Sequence, residues 1–222
     1  MKRRSSAGLP DYLVQNIKAG MFLFYHCPAV VLTMHKIAIF ASGTGTNTQK
    51  IIDFFRMHPS VKIVLIVSNK PEAGVLSIAK NENIPSLLLD KEKFFRGNAY
   101  VNELQKQGIS FIVLAGFLWK IPTHLIRAYQ NRMINIHPAL LPAYGGKGMY
   151  GNFVHEAVIK AGETKTGITI HYVDDQYDHG PIIFQASFPV DKNDTAETVA
   201  QKVHLLEYSH YAKVIEKELS RI

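Results

Sequence analysis

The sequence predicts an α/β fold in which a doubly wound, mostly parallel sheet ends in an antiparallel hairpin and a closing helix. Three observations carry this prediction. Short apolar runs alternate with helical patterns from His35 to about residue 137, and beyond residue 140 two runs alternate apolar with polar residues. The chain then finishes in one long helical period behind a good N-cap residue.

In order, strands are expected at Lys36–Ala41, Lys62–Ser68, Ser86–Leu89, Phe111–Ala115 and Met133–Ile136, with helices at Thr46–Met57, Glu72–Asn83, Gly97–Gln107 and Thr123–Gln130 between them. This spacing implies right-handed βαβ crossovers and a Rossmann-like sheet, whose chemistry belongs beyond the carboxyl ends of the strands. After a Gly-rich segment comes a helix near Asn152–Ala161. "TGITIHYVD" and "GPIIFQASFPV" then read as the arms of a hairpin across "DQYDHG". Asp194–Leu219 reads as the closing helix, with Asp194 or Thr195 as its N-cap.

A chain of 222 residues, 47% hydrophobic and without repeats or a long Ser/Gly linker, suits one globular domain, expected over residues 34–222. Residues 1–33 read as an upstream extension, with Met34 as the candidate start. The apolar run Met21–Met34 contains Tyr25, His26 and Pro28, lacks a small-x-small cleavage site and is too short to cross a bilayer. The formal charge is +7, of which Lys2, Arg3, Arg4 and Lys18 against Asp11 supply +3. The remaining excess favours anionic metabolites, and no Lys/Arg run with interleaved aromatics points to nucleic acid. The single cysteine, Cys27, forms no internal disulfide, as expected of a reducing compartment such as the cytoplasm.

Three segments carry candidate chemistry. "FASGTGTNTQK" joins the first strand to the first helix, so Gly43 and Gly45 let a ligand approach the backbone and the helix N-terminus offers N–H groups to a phosphate. A Walker loop would need Gly-Lys-Ser/Thr where Thr46, Asn47 and Thr48 stand. A dinucleotide fingerprint would need a third glycine at 48 and an acidic residue where Asn69 and Lys70 stand. A phosphomonoester site is the functional reading, and a plain strand-to-helix turn the bland one.

"INIHPALLP" puts Asn135 and His137 on one face at the end of a strand, followed by Pro138. An amide that donates to a developing oxyanion beside an imidazole that moves a proton suits acyl chemistry. Ser42 lacks the Gly-x-Ser-x-Gly frame, so direct attack by the acceptor is expected. "VDDQYDHGP" offers Asp174, Asp175, Asp178 and His179 in the hairpin loop, either as a solvated turn or as the source of a carboxylate beside His137. Those groups with His171 match no recognised metal-ligand spacing, and no metal is expected.

The segments "IFASGTGTN", "FIVLAGFLWKIP", "INIHPALLP" and "GITIHYVDDQYDHGPIIFQ", in this order, resemble the folate-dependent formyltransferases, over the chain from about Met34 onward. The resemblance implies that the amine of glycinamide ribonucleotide attacks the formyl carbon of 10-formyltetrahydrofolate, as a step of purine synthesis. It implies Asn135 and His137 as the oxyanion and proton-transfer pair, with Asp178 raising the pKa of the histidine. It implies a phosphate site at Gly45, Thr46 and Asn47, and contact of Glu207 with the glycinamide part, with His204 one turn before it. The folate would be held by Leu118, Trp119, Lys120 and Ile121 and by the loop Asp174, Asp175, Gln176, Tyr177 and Asp178.

Two departures stand out. The loop "AYGGKGMYGNFVHEAV" is longer than usual, with Lys147 either a phosphate partner or solvated, and Arg96 is only the nearest counterpart of the basic residue at the folate tail. His155 matches the histidine that opens the following helix. Rival readings are a formyltetrahydrofolate hydrolase, a methionyl-tRNA formyltransferase-like enzyme and a silent phosphometabolite-binding module. The second is expected to carry a further C-terminal β-domain and the first an N-terminal regulatory one.

Overall fold

The computed structural model describes residues 33–222, so residues 1–32 of the expected extension, Cys27 among them, lie outside the described residues. Five strands, β1 (His35–Phe40), β2 (Val61–Ser68), β3 (Ser86–Leu88), β4 (Phe111–Leu114) and β5 (Met133–His137), pair in parallel. Then β6 (Lys165–Tyr172) and β7 (Ile182–Pro189) add on antiparallel, giving a seven-stranded sheet of order β3-β2-β1-β4-β5-β6-β7. The expected α/β sheet with an antiparallel hairpin is the observed one.

The helices are α1 (Thr46–Phe55), α2 (Gly74–Asn81), α3 (Lys91–Phe95), α4 (Ala99–Lys106), α5 (Thr123–Ala128), α6 (Asn152–Lys160) and α7 (Ala196–Leu219). β1 shows why both faces of the sheet must be covered: its side chains alternate with period two. Ile37 and Ile39 pack with Ile51 and Phe55 of α1 and with Val203 and Ile215 of α7. Ala38 and Phe40 face the other way, toward Val101 and Leu104 of α4 and Leu125 of α5. The crossovers leave the ends of β1, β4 and β5 side by side at one edge, which is where a doubly wound sheet places ligands.

Two local differences from the sequence expectation have simple causes. Helix α3 was not expected, because five residues are too few to show a helical period; it is fixed by Asp90, whose side chain accepts the Lys93 N–H at 2.9 Å. Helix α2 begins at Gly74 rather than Glu72. Ala73 is still extended, and a Cβ on Gly74 would lie 3.0 Å from the Thr44 carbonyl oxygen, so this turn packs directly on the Gly-rich one. The N-cap of α7 is Thr195. Its hydroxyl accepts the Thr198 N–H while the Thr198 hydroxyl accepts the Thr195 N–H, a reciprocal cap built from two threonines.

Candidate active site

A cavity of about 640 Å³ opens over the ends of β1, β4 and β5. Its first wall is the turn after β1. Gly45 has φ 85°, and a Cβ there would meet Val75 Cα at 2.9 Å and Ile78 Cδ1 at 2.8 Å, so only glycine fits. Gly43 lines the cavity and a Cβ there would meet nothing within 4 Å. Helix α1 starts at Thr46 with no side-chain cap and no acidic residue in its first turn, which leaves its N–H groups free for an anion. Lys70 and Lys147 also line the cavity.

These glycines predict different outcomes. Gly45→Ala is expected to destabilise the protein by roughly 1–2 kcal/mol in urea titrations, from the left-handed backbone alone, and more where α2 cannot yield. Gly43→Ala is expected to unfold at the same urea concentration but to bind inorganic phosphate more weakly. Unchanged phosphate binding by Gly43→Ala would show that no ligand approaches the backbone there.

Ser42 proves to be a brace. Its hydroxyl donates to Asn69 Oδ1 at 2.5 Å and accepts the Leu118 N–H at 2.9 Å, tying together the chain beyond β1, β2 and β4. Nothing in the local sequence signals this, because the three partners are brought together only by the sheet.

The second wall is the end of β5. Register places Asn135 opposite His171 and His137 opposite Thr169, so four polar side chains share one face of two strands. The amide of Asn135 directs its nitrogen to His171 Nε2 at 3.1 Å and to Asp178 Oδ1 at 3.3 Å. His171 Nδ1 lies 2.8 Å from the Tyr172 carbonyl, and its Nε2 faces both the Asn135 amide and, at 3.6 Å, Asp178 Oδ1. His137 is 3% exposed, with Nε2 2.7 Å from the Tyr144 carbonyl and Nδ1 3.5 Å from Asp178 Oδ2. The carbonyl fixes the donor on Nε2. The nitrogen left to exchange a proton with a ligand is therefore Nδ1, on the side of Asp178.

Burial depresses the pKa of His137 below the ordinary imidazole value, and Asp178 with the Tyr144 carbonyl opposes this without reversing it. The expected upward influence of Asp178 is present, but desolvation outweighs it. For Asp178 itself burial works upward; contact with His171, the charge of His137 and the Gly146 N–H at 3.0 Å overcome it and hold the carboxyl below its usual value. Asp178 has φ 54° and Tyr144 φ 57°, so both residues that flank His137 sit in left-handed backbone. Gly145 permits this approach, since a Cβ there would lie 2.6 Å from Leu141 Cδ2 and 3.2 Å from Asp178 Cβ.

The loop after "LLP", hard to place from sequence, is thus the segment that clamps the histidine and the aspartate together. Thr169 and Gln185 hold its start. The Thr169 hydroxyl donates to Ala139 O and accepts the Leu141 N–H, and Gln185 Nε2 donates to Leu141 O.

The third wall belongs to α7. Glu207 is buried at 5% exposure rather than solvated, and it accepts from Asn47 Nδ2 at 2.9 Å and from His204 Nδ1 at 2.8 Å. Asn47 therefore spends its side chain on Glu207 and has its backbone N–H to offer an anion. The hydrogen bond to Glu207 raises the pKa of His204.

The residues expected to hold a folate divide. Leu118, Tyr177 and Asp178 line the cavity with Gly116 and Phe117. Trp119, Lys120, Ile121, Asp174, Asp175 and Gln176 are not part of its wall. Trp119 packs against Phe94, Phe95 and Phe117, and Ile121 is core. Asp174 is taken up within its loop, accepting the Gln176 N–H at 2.9 Å and lying 3.7 Å from His179 Nδ1. Arg96 is also absent from the wall; its exposed side chain donates to Glu92 at 2.7 Å. Among the described residues, no group of three or more His, Cys, Asp or Glu side chains is arranged to hold a metal ion.

A cavity lined by a Gly-rich turn with an uncapped helix N-terminus and by an amide, an imidazole and a carboxylate, set on a doubly wound sheet, brings together the kinds of group that acyl transfer uses. Residues 35–215 match the model of the formyl transferase family, and the chain belongs to that family. Among its relatives, phosphoribosylglycinamide formyltransferase of Bacillus subtilis is 36% identical over 191 residues, which are 84% of this chain and 95% of that protein. The chloroplastic phosphoribosylglycinamide formyltransferase of Vigna unguiculata is 42% identical over 194 residues, 84% of this chain but 62% of that protein. The chain thus spans a little under two thirds of the length of this plant relative. A solved structure of phosphoribosylglycinamide formyltransferase from Bacillus halodurans superposes with a TM-score of 0.75 at 38% identity, covering 83% of this chain and 95% of that one.

Proposed function

We propose that the chain transfers the formyl group of 10-formyltetrahydrofolate to the amine of glycinamide ribonucleotide, by direct attack. The observation that carries this reading is that Asn135 and His137 both meet Asp178, at 3.3 and 3.5 Å, in one cavity with an uncapped helix N-terminus. A substrate with a phosphate at one end and an amine at the other spans such a site. The names of the relatives fit the same substrate.

The phosphate rests on Gly43, Gly45 and the N–H groups of Thr46 and Asn47, with Glu207 and His204 beside the ribosyl and glycinamide parts. The formyl folate enters between Gly116–Leu118 and Tyr177–Asp178. Contributions of Arg96, of residues 119–121 and of residues 174–176 fall to the part of the folate beyond the cavity. The amine nitrogen attacks the formyl carbon, and the carbonyl electron pair moves to oxygen. Asn135 donates to that oxygen the hydrogen now on its longer contact, to Asp178. His137, through Nδ1, takes the surplus proton of the attacking nitrogen and passes one to N10 as the carbon–N10 bond breaks. The products are the formylated amide and tetrahydrofolate. No covalent enzyme intermediate is needed, since Ser42 is committed to its brace.

We assign the activity to residues 34–222 as one domain, with residues 1–33 as an extension, and to the cytoplasm on the strength of the single cysteine. The test is a two-substrate assay with formyl folate and either glycinamide ribonucleotide or water as acceptor, on the full chain and on one that begins at Met34. Formylated ribonucleotide formed only with both substrates is the expected result from both chains. Formate released without acceptor would replace the reading by a hydrolase, and binding without turnover by a silent module. Organelle retention of the native protein on fractionation would remove the cytoplasmic assignment.

A further inference from the structure

One polar side chain in the cavity wall is unused by this chemistry. His155, in the first turn of α6, is 3% exposed and lines the cavity. Its Nδ1 is fully enclosed and has no hydrogen-bond partner among the described residues. Two other enclosed atoms share that condition, Thr48 Oγ1 and Tyr129 Oη, but neither residue lines the cavity. An unpaired polar atom is costly in a protein interior, and an apolar side chain would satisfy a purely structural position better. The position of His155 suggests what the ring is for. It lines the same cavity as His204 and Glu207 of the α7 wall and His137 of the proton-transfer pair.

We propose that His155 is a substrate-binding residue that hydrogen-bonds the uncharged middle of the amine substrate, its ribosyl hydroxyls or carboxamide, between the phosphate turn and His137. This rests on the function proposed above. Burial, the largest influence on the ring, lowers its pKa, with His204 adding to the fall and Glu207 opposing it. The neutral imidazole offers one donor and one acceptor, which suits a hydroxyl or an amide. The anion already has the helix N-terminus and two lysines. A ligand meets the ring where it lines the cavity, Nδ1 itself being enclosed.

Calorimetric titration of the wild type, His155→Phe and His155→Gln with glycinamide ribonucleotide, and separately with inorganic phosphate, tests this. The expected result is that His155→Phe weakens the ribonucleotide about tenfold or more, as for a lost hydrogen bond that leaves a polar group unpaired. Inorganic phosphate and the KM for formyl folate are expected to be unchanged, and His155→Gln, which keeps a donor and an acceptor, to recover part of the loss. His155→Met replaces the phenylalanine variant if that chain does not fold. Ribonucleotide affinity unchanged in the apolar variant overturns the proposal. Equal losses for ribonucleotide and phosphate also overturn it, because they mark a residue that only supports the fold. A wild type that binds phosphate but not the ribonucleotide would instead overturn the function itself, and the role of His155 with it.

Discussion

His137→Ala is expected to lower turnover by ~10²–10⁴-fold, the range for loss of a positioned proton-transfer group. Its binding of glycinamide ribonucleotide by calorimetry is expected to stay close to that of the wild type. The separation follows from the proposed layout, in which the phosphate sits on the turn after β1, whereas His137 touches Tyr144 and Asp178. The substitution also leaves the Tyr144 carbonyl without its donor and Asp178 with one fewer neighbour. A stability loss of roughly 1–3 kcal/mol in urea should accompany the fall in rate, and kinetics belong at temperatures where the variant is folded. Turnover within tenfold of the wild type would exclude His137 as the proton carrier.

Asp178→Asn is expected to produce the second large loss, together with a displaced pH–rate profile. In the wild type, burial holds the pKa of His137 below the ordinary imidazole value of about 6.5 and Asp178 pulls it upward. Removing the carboxylate charge lets burial act with less opposition, so the apparent pKa of His137 falls further. The limb of the profile that belongs to this group moves to lower pH, whether the neutral or the charged ring is the one required. Stability has the same sign. A histidine whose folded pKa lies below its unfolded value contributes fully above the unfolded value, and the contribution is lost as pH falls toward the folded one. In Asp178→Asn this acid-sensitive window extends to lower pH. A profile identical to that of the wild type would take Asp178 out of the mechanism.

Much of this site is legible in the sequence because its determinants are local. Period two along "MINIH" puts Asn135 and His137 on one face of β5 whatever surrounds them. The Gly-x-Gly before α1 announces a turn that needs glycine, and at Gly45 the reason is a left-handed backbone against α2. The helix α3 and the exact cap of α7 were less legible, since five residues show no periodicity and two adjacent cap formers compete for one place.

Other parts depend on contacts between distant segments. Glu207, on a helix that sequence would let face water, is buried because α7 crosses the sheet and brings it to Asn47, 160 positions away. The Ser42 brace joins residues 42, 69 and 118. Trp119 and Ile121 lie next to a cavity residue in sequence and outside the wall in space, because the aromatic cluster and the core take their side chains.

The sequence by itself determined the alternation of strands and helices, the antiparallel ending, the Gly-rich turn after β1 and the paired Asn135 and His137. Each is set by backbone geometry or by a period of two to four residues. Only the tertiary structure decided the protonation pattern of the site. Tyr144 O assigns the donor nitrogen of His137, His171 orients the Asn135 amide, and burial outweighs Asp178 in setting the histidine's pKa. These are effects of desolvation and of hydrogen-bond partners 7 to 43 positions apart, and no local pattern encodes them.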